Sequence, residues 1–202
     1  QFDEIVSWMC FSGIDFDLVS ERSLVDLTPT KPGKRFKVGA MQYDAIVVPA
    51  LRTMRKTTVD RLRSFVDAGG RLIFAGDVAR CVDARISAAP QQLAKRATTL
   101  PWNRDAIVDA LESVREIDLK HSNGTPADSI LHQYRSDGGR RHLFLVNTDR
   151  QRGRSTTLTL RGRWSITMLD TLTGHTRPLP AEIDGSRTIL SHTFEPQDHL
   201  LV

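Results

Sequence analysis

The chain has 202 residues, room for one or two domains and enough length to bury a core without metals or disulfides. Apolar residues make up 40% and charged residues 26%, which excludes wholesale disorder, and no run approaches the roughly 18 apolar residues of a membrane span. The net charge is +4; 22 of the 28 bases are Arg, yet they form no run of five and aromatics are only 6%, so no nucleic-acid surface is expected.

Cys10 and Cys81 are too few for a disulfide framework or a four-ligand zinc site and are read as free thiols. Gln1-Phe2-Asp3-Glu4 carries acid where a secretory leader carries base, so no targeting segment is expected and the compartment is left open.

Residues 1 to about 120 mix helical and strand patterns. Ile5, Val6, Trp8, Met9 and Phe11 followed by Gly13 read as a helix with a glycine stop. Gly13 to Val19 reads as a short strand, with Ser20-Glu21 opening a further helical turn, and Lys31 to Arg35 as a loop. Asp44 to Pro49 is a continuous apolar run, as in a strand covered on both faces, and Pro49 closes it. Thr57 to Ala68 carries one apolar stripe of Val59, Leu62, Phe65 and Val66; Thr57 or Thr58 is the expected cap and Gly69-Gly70 the stop. Arg71 to Gly76 is a second buried strand, which completes a βαβ unit with a right-handed crossover. A helix over Arg104 to Val114 leads into a strand at Glu116 to Leu119.

His121-Ser122-Asn123-Gly124-Thr125-Pro126 reads as a polar linker, and the period then changes to two. Ile130 to Arg135 and His142 to Asn147 flank Ser136-Asp137-Gly138-Gly139, a hairpin signal. Thr156 to Leu160, Trp164 to Leu169, Thr188 to Phe194 and His199 to Val202 are further strands, with a turn at Leu172-Thr173-Gly174-His175. Five to seven short strands with turns between them indicate a small antiparallel sandwich. The domain limits are set at 1–122 and 123–202.

An open α/β sheet places its ligand at the carboxyl ends of its strands. Here those ends are Pro49-Ala50-Leu51 and Gly76-Asp77-Val78. Asp77 can accept hydrogen bonds from a sugar or a ribose; the plainer reading is that Gly76 supplies a permissive backbone angle and Asp77 caps the next turn. Trp102, which follows Pro101 in a loop, is a better candidate than Trp164 for an aromatic platform facing a sugar.

Catalytic groups are harder to find. An amidotransferase-like elbow needs Gly-x-Cys-x-Gly, whereas Cys81 sits in Ala79-Arg80-Cys81-Val82-Asp83. All six histidines (His121, His132, His142, His175, His192, His199) fall in the second half, and no pair has the short spacing of a zinc site. Glutamates are scarce, and none ends a buried strand where paired carboxylates would work on a glycosidic bond. No catalytic residue, metal or cofactor is assigned.

Taken together, Gly13 to Val19, Val38-Gly39 with Tyr43 to Pro49, and Leu62-x-x-Phe65-Val66-x-Ala68-Gly69-Gly70-Arg71-Leu72-Ile73-Phe74-x-Gly76 resemble the β-galactosidase trimerisation-type domain. That domain lies downstream of the catalytic barrel in family 42 β-galactosidases and related large glycosidases, including α-L-rhamnosidase-like ones. Phe144-Leu145-Val146-Asn147-Thr148, Leu169-Asp170-x-x-Thr173-Gly174 and Arg177-Pro178-Leu179-Pro180 resemble the β-domain that follows it. The chain departs from the family at Asp77-Val78-Ala79, where a proline is usual, and it begins inside the helix that the first strand should precede.

The resemblance implies an α/β plus all-β chain: a flavodoxin-like, class I amidotransferase-like three-layer domain lacking its first strand, then a small antiparallel β-sandwich. It implies a non-catalytic accessory or assembly region of a glycoside hydrolase, packed against the parent's catalytic barrel or another subunit. The alternatives are a stand-alone carbohydrate-binding module and an amidotransferase-like enzyme using Cys81. The residues expected to contact a ligand or partner are Pro49, Ala50, Gly76, Asp77 and Trp102.

Overall fold

The computed structural model describes residues 2–202. Contacts divide them into two compact units. The first comprises residues up to Ile5 together with Asp17–Val114; the second comprises Val6–Phe16 together with Arg115–Val202.

In chain order the first unit begins with α1 (Phe2–Cys10), a helix whose later residues belong to the second unit. Then come α2 (Glu21–Leu27), β1 (Phe36–Val38), β2 (Met41–Tyr43), β3 (Ala45–Pro49), β4 (Thr53–Met54), α3 (Lys56–Asp67), β5 (Arg71–Ala75), β6 (Cys81–Val82), β7 (Arg85–Ile86), α4 (Ala89–Ala94), β8 (Thr98–Leu100) and α5 (Arg104–Leu111). Strands β3, β5 and β8 form a parallel sheet in that order, with Ala45 opposite Arg71 and Ile73 opposite Thr98. The expected βαβ unit is therefore present as β3–α3–β5. The smaller sheets, β4-β6-β7 and the β1-β2 hairpin, have strands of only two or three residues, too short to show a period.

Helix α3 buries the stripe that its sequence carries. Val59, Leu62 and Phe65 are buried against Leu72, Phe74, Phe36 and Met54. Phe65 meets Phe36 edge to face, with centroids 5.1 Å apart. The stripe is wider than apolar spacing alone indicates. Arg61 is buried as well, and its guanidinium donates to the Val25 carbonyl at 3.0 Å. The expected threonine cap is absent. The N-cap is Arg55, which makes no side-chain cap bond, and Thr58 is buried within the first turn. Carboxylates from distant segments take the role instead: Glu21 accepts from the Arg55 amide at 2.8 Å and Asp83 from the Lys56 amide at 3.3 Å. Two other caps are local, Ser20 on Ser23 N–H for α2 and Asn103 on Ala106 N–H for α5.

One further expectation is corrected in this region. Gly13 to Val19 is not a strand. A strand exists only where a neighbour offers a ladder, and none of the described strands pairs with these residues. Tyr43 instead donates its hydroxyl to the Asp17 carboxylate. The parallel sheet has three strands, with β3 as an outer strand.

The second unit contains β9 (Ile117–His121), β10 (Ile130–Asp137), β11 (Arg140–Asn147), β12 (Arg154–Arg161), β13 (Ile166–Leu169), β14 (Thr176–Leu179), β15 (Glu182–Asp184), β16 (Arg187–Phe194) and β17 (His199–Leu201). All pair antiparallel, in sheets β15-β16-β12-β9, β10-β11-β17 and β13-β14. Alternate residues enter one core, with Leu119, Leu158, Leu190 and Phe194 from the first sheet meeting Ile130, Leu143, Leu145 and Leu200 from the second. That is a sandwich; eight strands follow residue 122 where five to seven were expected, and β9 makes nine. The hairpin turn is Gly138-Gly139, both at positive φ (53° and 85°), which two-residue hairpin turns favour.

The strand near residue 119 belongs to this unit rather than to the α/β part, because β9 pairs with β12 from Ile117↔Leu160 to His121↔Thr156. The residues expected as a linker form a closed turn instead. The His121 amide donates to Thr125 O and the Gly124 amide to His121 O, both at 2.8 Å.

Candidate functional site

The three parallel strands end at one open cleft. β3 and Pro49 lead into Ala50, β5 leads into Gly76-Asp77, and β8 ends in Leu100 before Pro101-Trp102. Ala50, Gly76, Asp77, Leu100, Pro101 and Trp102 line a depression of about 300 Å³. Parallel register brings them together: Pro49 is opposite Ala75, and Ala75 is opposite Leu100, so all three strands end at the same level. The Gly76 amide donates to Leu100 O at 2.9 Å and carries the ladder one residue further.

Four of the five expected residues line the cleft. Pro49 does not; it remains in the ladder as the last residue of an outer strand, where its missing N–H costs nothing. Leu100 and Pro101 were not anticipated. Their signal is the run Thr98-Thr99-Leu100 closed by Pro101, which repeats in shorter form the way Pro49 closes Ala45 to Val48.

Gly76 has φ +81°, so the expectation of a permissive backbone angle holds. A Cβ there would stand 3.2 Å from the Ala50 Cβ and 3.4 Å from Cε3 of Trp102. The glycine thus allows the indole to close over the end of β5. The Trp102 Nε1–H donates to the Glu4 carboxylate at 3.3 Å. The other half of the plain reading, a cap from Asp77, is not realised. Asp77 is exposed, and its carboxylate makes no hydrogen bond or ion pair among the described residues. The lining side chains are therefore one aromatic ring, one open carboxylate and three small or aliphatic groups, with strand-end backbone adding polar surface and no basic side chain.

Cys81 lies on β6, half-buried and opposite both Thr53 and Ile86 in the ladders, and not on an elbow. Among the histidines, His132 and His192 are perturbed. Burial holds both below the usual imidazole range, opposed at His132 by Asp15 and by the Cys10 carbonyl. Among the described residues no group of three or more His, Cys, Asp or Glu could hold a metal ion. None of the helices described is long and apolar enough to cross a membrane.

No protein-family model and no curated protein sequence matches the chain. Solved structures do. A rhamnosidase from Novosphingobium sp. PP1Y is similar over 95% of this chain, with TM-score 0.72 and 15% identity. An apo exo-carrageenase of family GH42 from Bacteroides ovatus is similar over 99%, with TM-score 0.55 and 14% identity. A β-galactosidase from Bacillus circulans sp. alkalophilus is similar over 99%, with TM-score 0.56 and 12% identity. The chain spans only 20%, 26% and 37% of these three proteins respectively. At such identities the likeness is one of fold, and its partners in fold are glycoside hydrolases.

Proposed function

We propose that the chain is a non-catalytic accessory region of a glycoside hydrolase that acts on carbohydrate. On this reading the first unit corresponds to the β-galactosidase trimerisation-type domain and the second to the β-domain that follows it. The region packs against a catalytic barrel or a neighbouring subunit. One observation carries the reading: nearly the whole chain, 95–99%, superposes on glycoside hydrolases of which it makes up only a fifth to about two fifths.

An antibody raised against these 202 residues tests the proposal in the source cells. The expected result is a band far above 22.7 kDa and glycosidase activity in the immunoprecipitate, with no hydrolysis of aryl glycosides by the 202-residue chain itself. A band near 22.7 kDa, or turnover by the isolated chain, would overturn it. The rival amidotransferase-like reading requires Cys81, and Cys81→Ala tests it directly: activity that survives the change excludes that reading.

A further inference from the structure

The lining of the strand-end cleft is specific enough to select a ligand class. We propose that it is a subsite for a neutral sugar unit, held against Trp102 with its hydroxyls donating to Asp77. The inference rests on the reading that the parent protein acts on carbohydrate.

A carboxylate is an acceptor only, and that of Asp77 is exposed with no partner among the described residues. It suits a ligand rich in O–H donors. No basic side chain lines the cleft, so a phosphate or a sugar acid would face Asp77 uncompensated. That argues against a nucleotide, although strand ends of this type often hold one. A pyranose has an apolar C–H face and a rim of hydroxyls. Trp102, Ala50, Leu100 and Pro101 match the face, and Asp77 matches the rim.

The aromatic wall is preorganised, which lowers the ordering cost of binding. The Trp102 indole N–H is engaged by Glu4, and Gly76 lets the ring close on the strand end. The volume, about 300 Å³, lies at the lower end of small-molecule sites, roughly 300–1,000 Å³. The cleft therefore fits one residue of a glycan better than a long chain.

The test is an amide and indole NMR titration of the 202-residue chain with methyl glycosides of galactose, glucose and rhamnose, and with glucose 6-phosphate as the charged control. A single open subsite should bind with Kd on the order of 1 mM, equivalent to about −4 kcal/mol. The expected result is saturable shifts at the Trp102 indole N–H and the Gly76 and Asp77 amides with at least one neutral glycoside. The phosphate should bind at least about tenfold more weakly, since like charges repel. Asp77→Ala should weaken neutral-sugar binding by about tenfold while leaving the urea midpoint unchanged, because the carboxylate has no protein partner. Trp102→Phe keeps a ring, and Trp102→Ala removes it; binding should fall in that order.

Absence of shifts with every neutral glycoside up to about 50 mM, far above the expected Kd, would overturn the proposal. So would binding unaffected by Asp77→Ala, or preferred binding of the phosphate. A failed titration with a high-mass immunoblot band would remove the subsite alone. Sugar binding with a band near 22.7 kDa would remove the accessory reading alone.

Discussion

The backbone of Gly13 lies directly against the carbonyl oxygen of Ile117, so close that a Cβ at position 13 would overlap that oxygen. Gly13 has φ +67°, so the position also needs the left-handed region. Two independent costs then fall on any larger residue. The left-handed conformation alone costs about 1–2 kcal/mol for an L side chain, and the overlap is with backbone, which cannot swing aside. Gly13→Ala should destabilise the second unit by more than about 2 kcal/mol. Urea unfolding followed by circular dichroism measures this.

Gly76 should show a milder version. Its φ of +81° carries the same conformational cost, but the atoms that would crowd a new methyl are side-chain atoms of Ala50 and Trp102 at 3.2–3.5 Å. Gly76→Ala is expected to cost about 1–2 kcal/mol and to displace the Trp102 ring. The emission maximum of Trp102, in a variant lacking the other two tryptophans, should shift.

Asn147 is a buried polar residue, at 1% exposure. Its amide donates to the carbonyls of Arg152 and Glu195 at 2.9 and 3.0 Å, and its oxygen accepts from the Asp149 amide at 3.1 Å. The side chain therefore pins the loop after β11 to the end of β16. Asn147→Ala strands these groups and should cost about 2–3 kcal/mol. Asn147→Asp should be worse, since a carboxylate would face two carbonyl oxygens with no donor to offer. Thermal melts of the two variants should rank wild type, Ala, Asp in falling Tm.

His132 makes stability depend on pH. Burial is the largest influence and lowers its pKa; Asp15 and the Cys10 carbonyl oppose it without reversing it. Its Nδ1 is buried without a partner. The folded pKa thus lies below the unfolded value of about 6.5. Between the two, the unfolded chain binds a proton that the folded chain does not, so stability is full above about pH 6.5 and falls as pH drops toward the folded pKa. His192 has the same direction, again through burial first. Urea midpoints should fall between pH 7 and pH 5, and His132→Gln should flatten that fall without abolishing it.

Much of this architecture is legible in one dimension. The stripe of Val59, Leu62 and Phe65 gives α3, and its burial against Leu72 and Phe74 follows from the apolar run beside it. Strict alternation over Thr156, Leu158 and Leu160 gives the inward face of β12. Gly138-Gly139 marks the β10–β11 hairpin because glycine takes positive φ at both positions without cost. The cleft was partly legible as well, since Pro49 and Gly76 punctuate two strand ends.

What stayed hidden depends on neighbours distant in sequence. Ile14 to Val19 has the apolar content of a strand, yet becomes one only if another edge pairs with it, and none of the described strands does. Ile117 to His121 follows the α/β part in the chain, but its ladder is with β12, some forty residues further on. The caps of α3 come from Glu21 and Asp83, invisible to any rule that looks for a capping residue next to the helix. Leu100, Pro101 and Trp102 join Gly76 and Asp77 only because parallel register aligns the ends of β5 and β8. Periodicity and turn chemistry are local energies, so the sequence by itself determined which segments are helices or buried strands. Pairing, capping from afar and convergence on a cleft are long-range choices among competing contacts, and only the tertiary structure decided those.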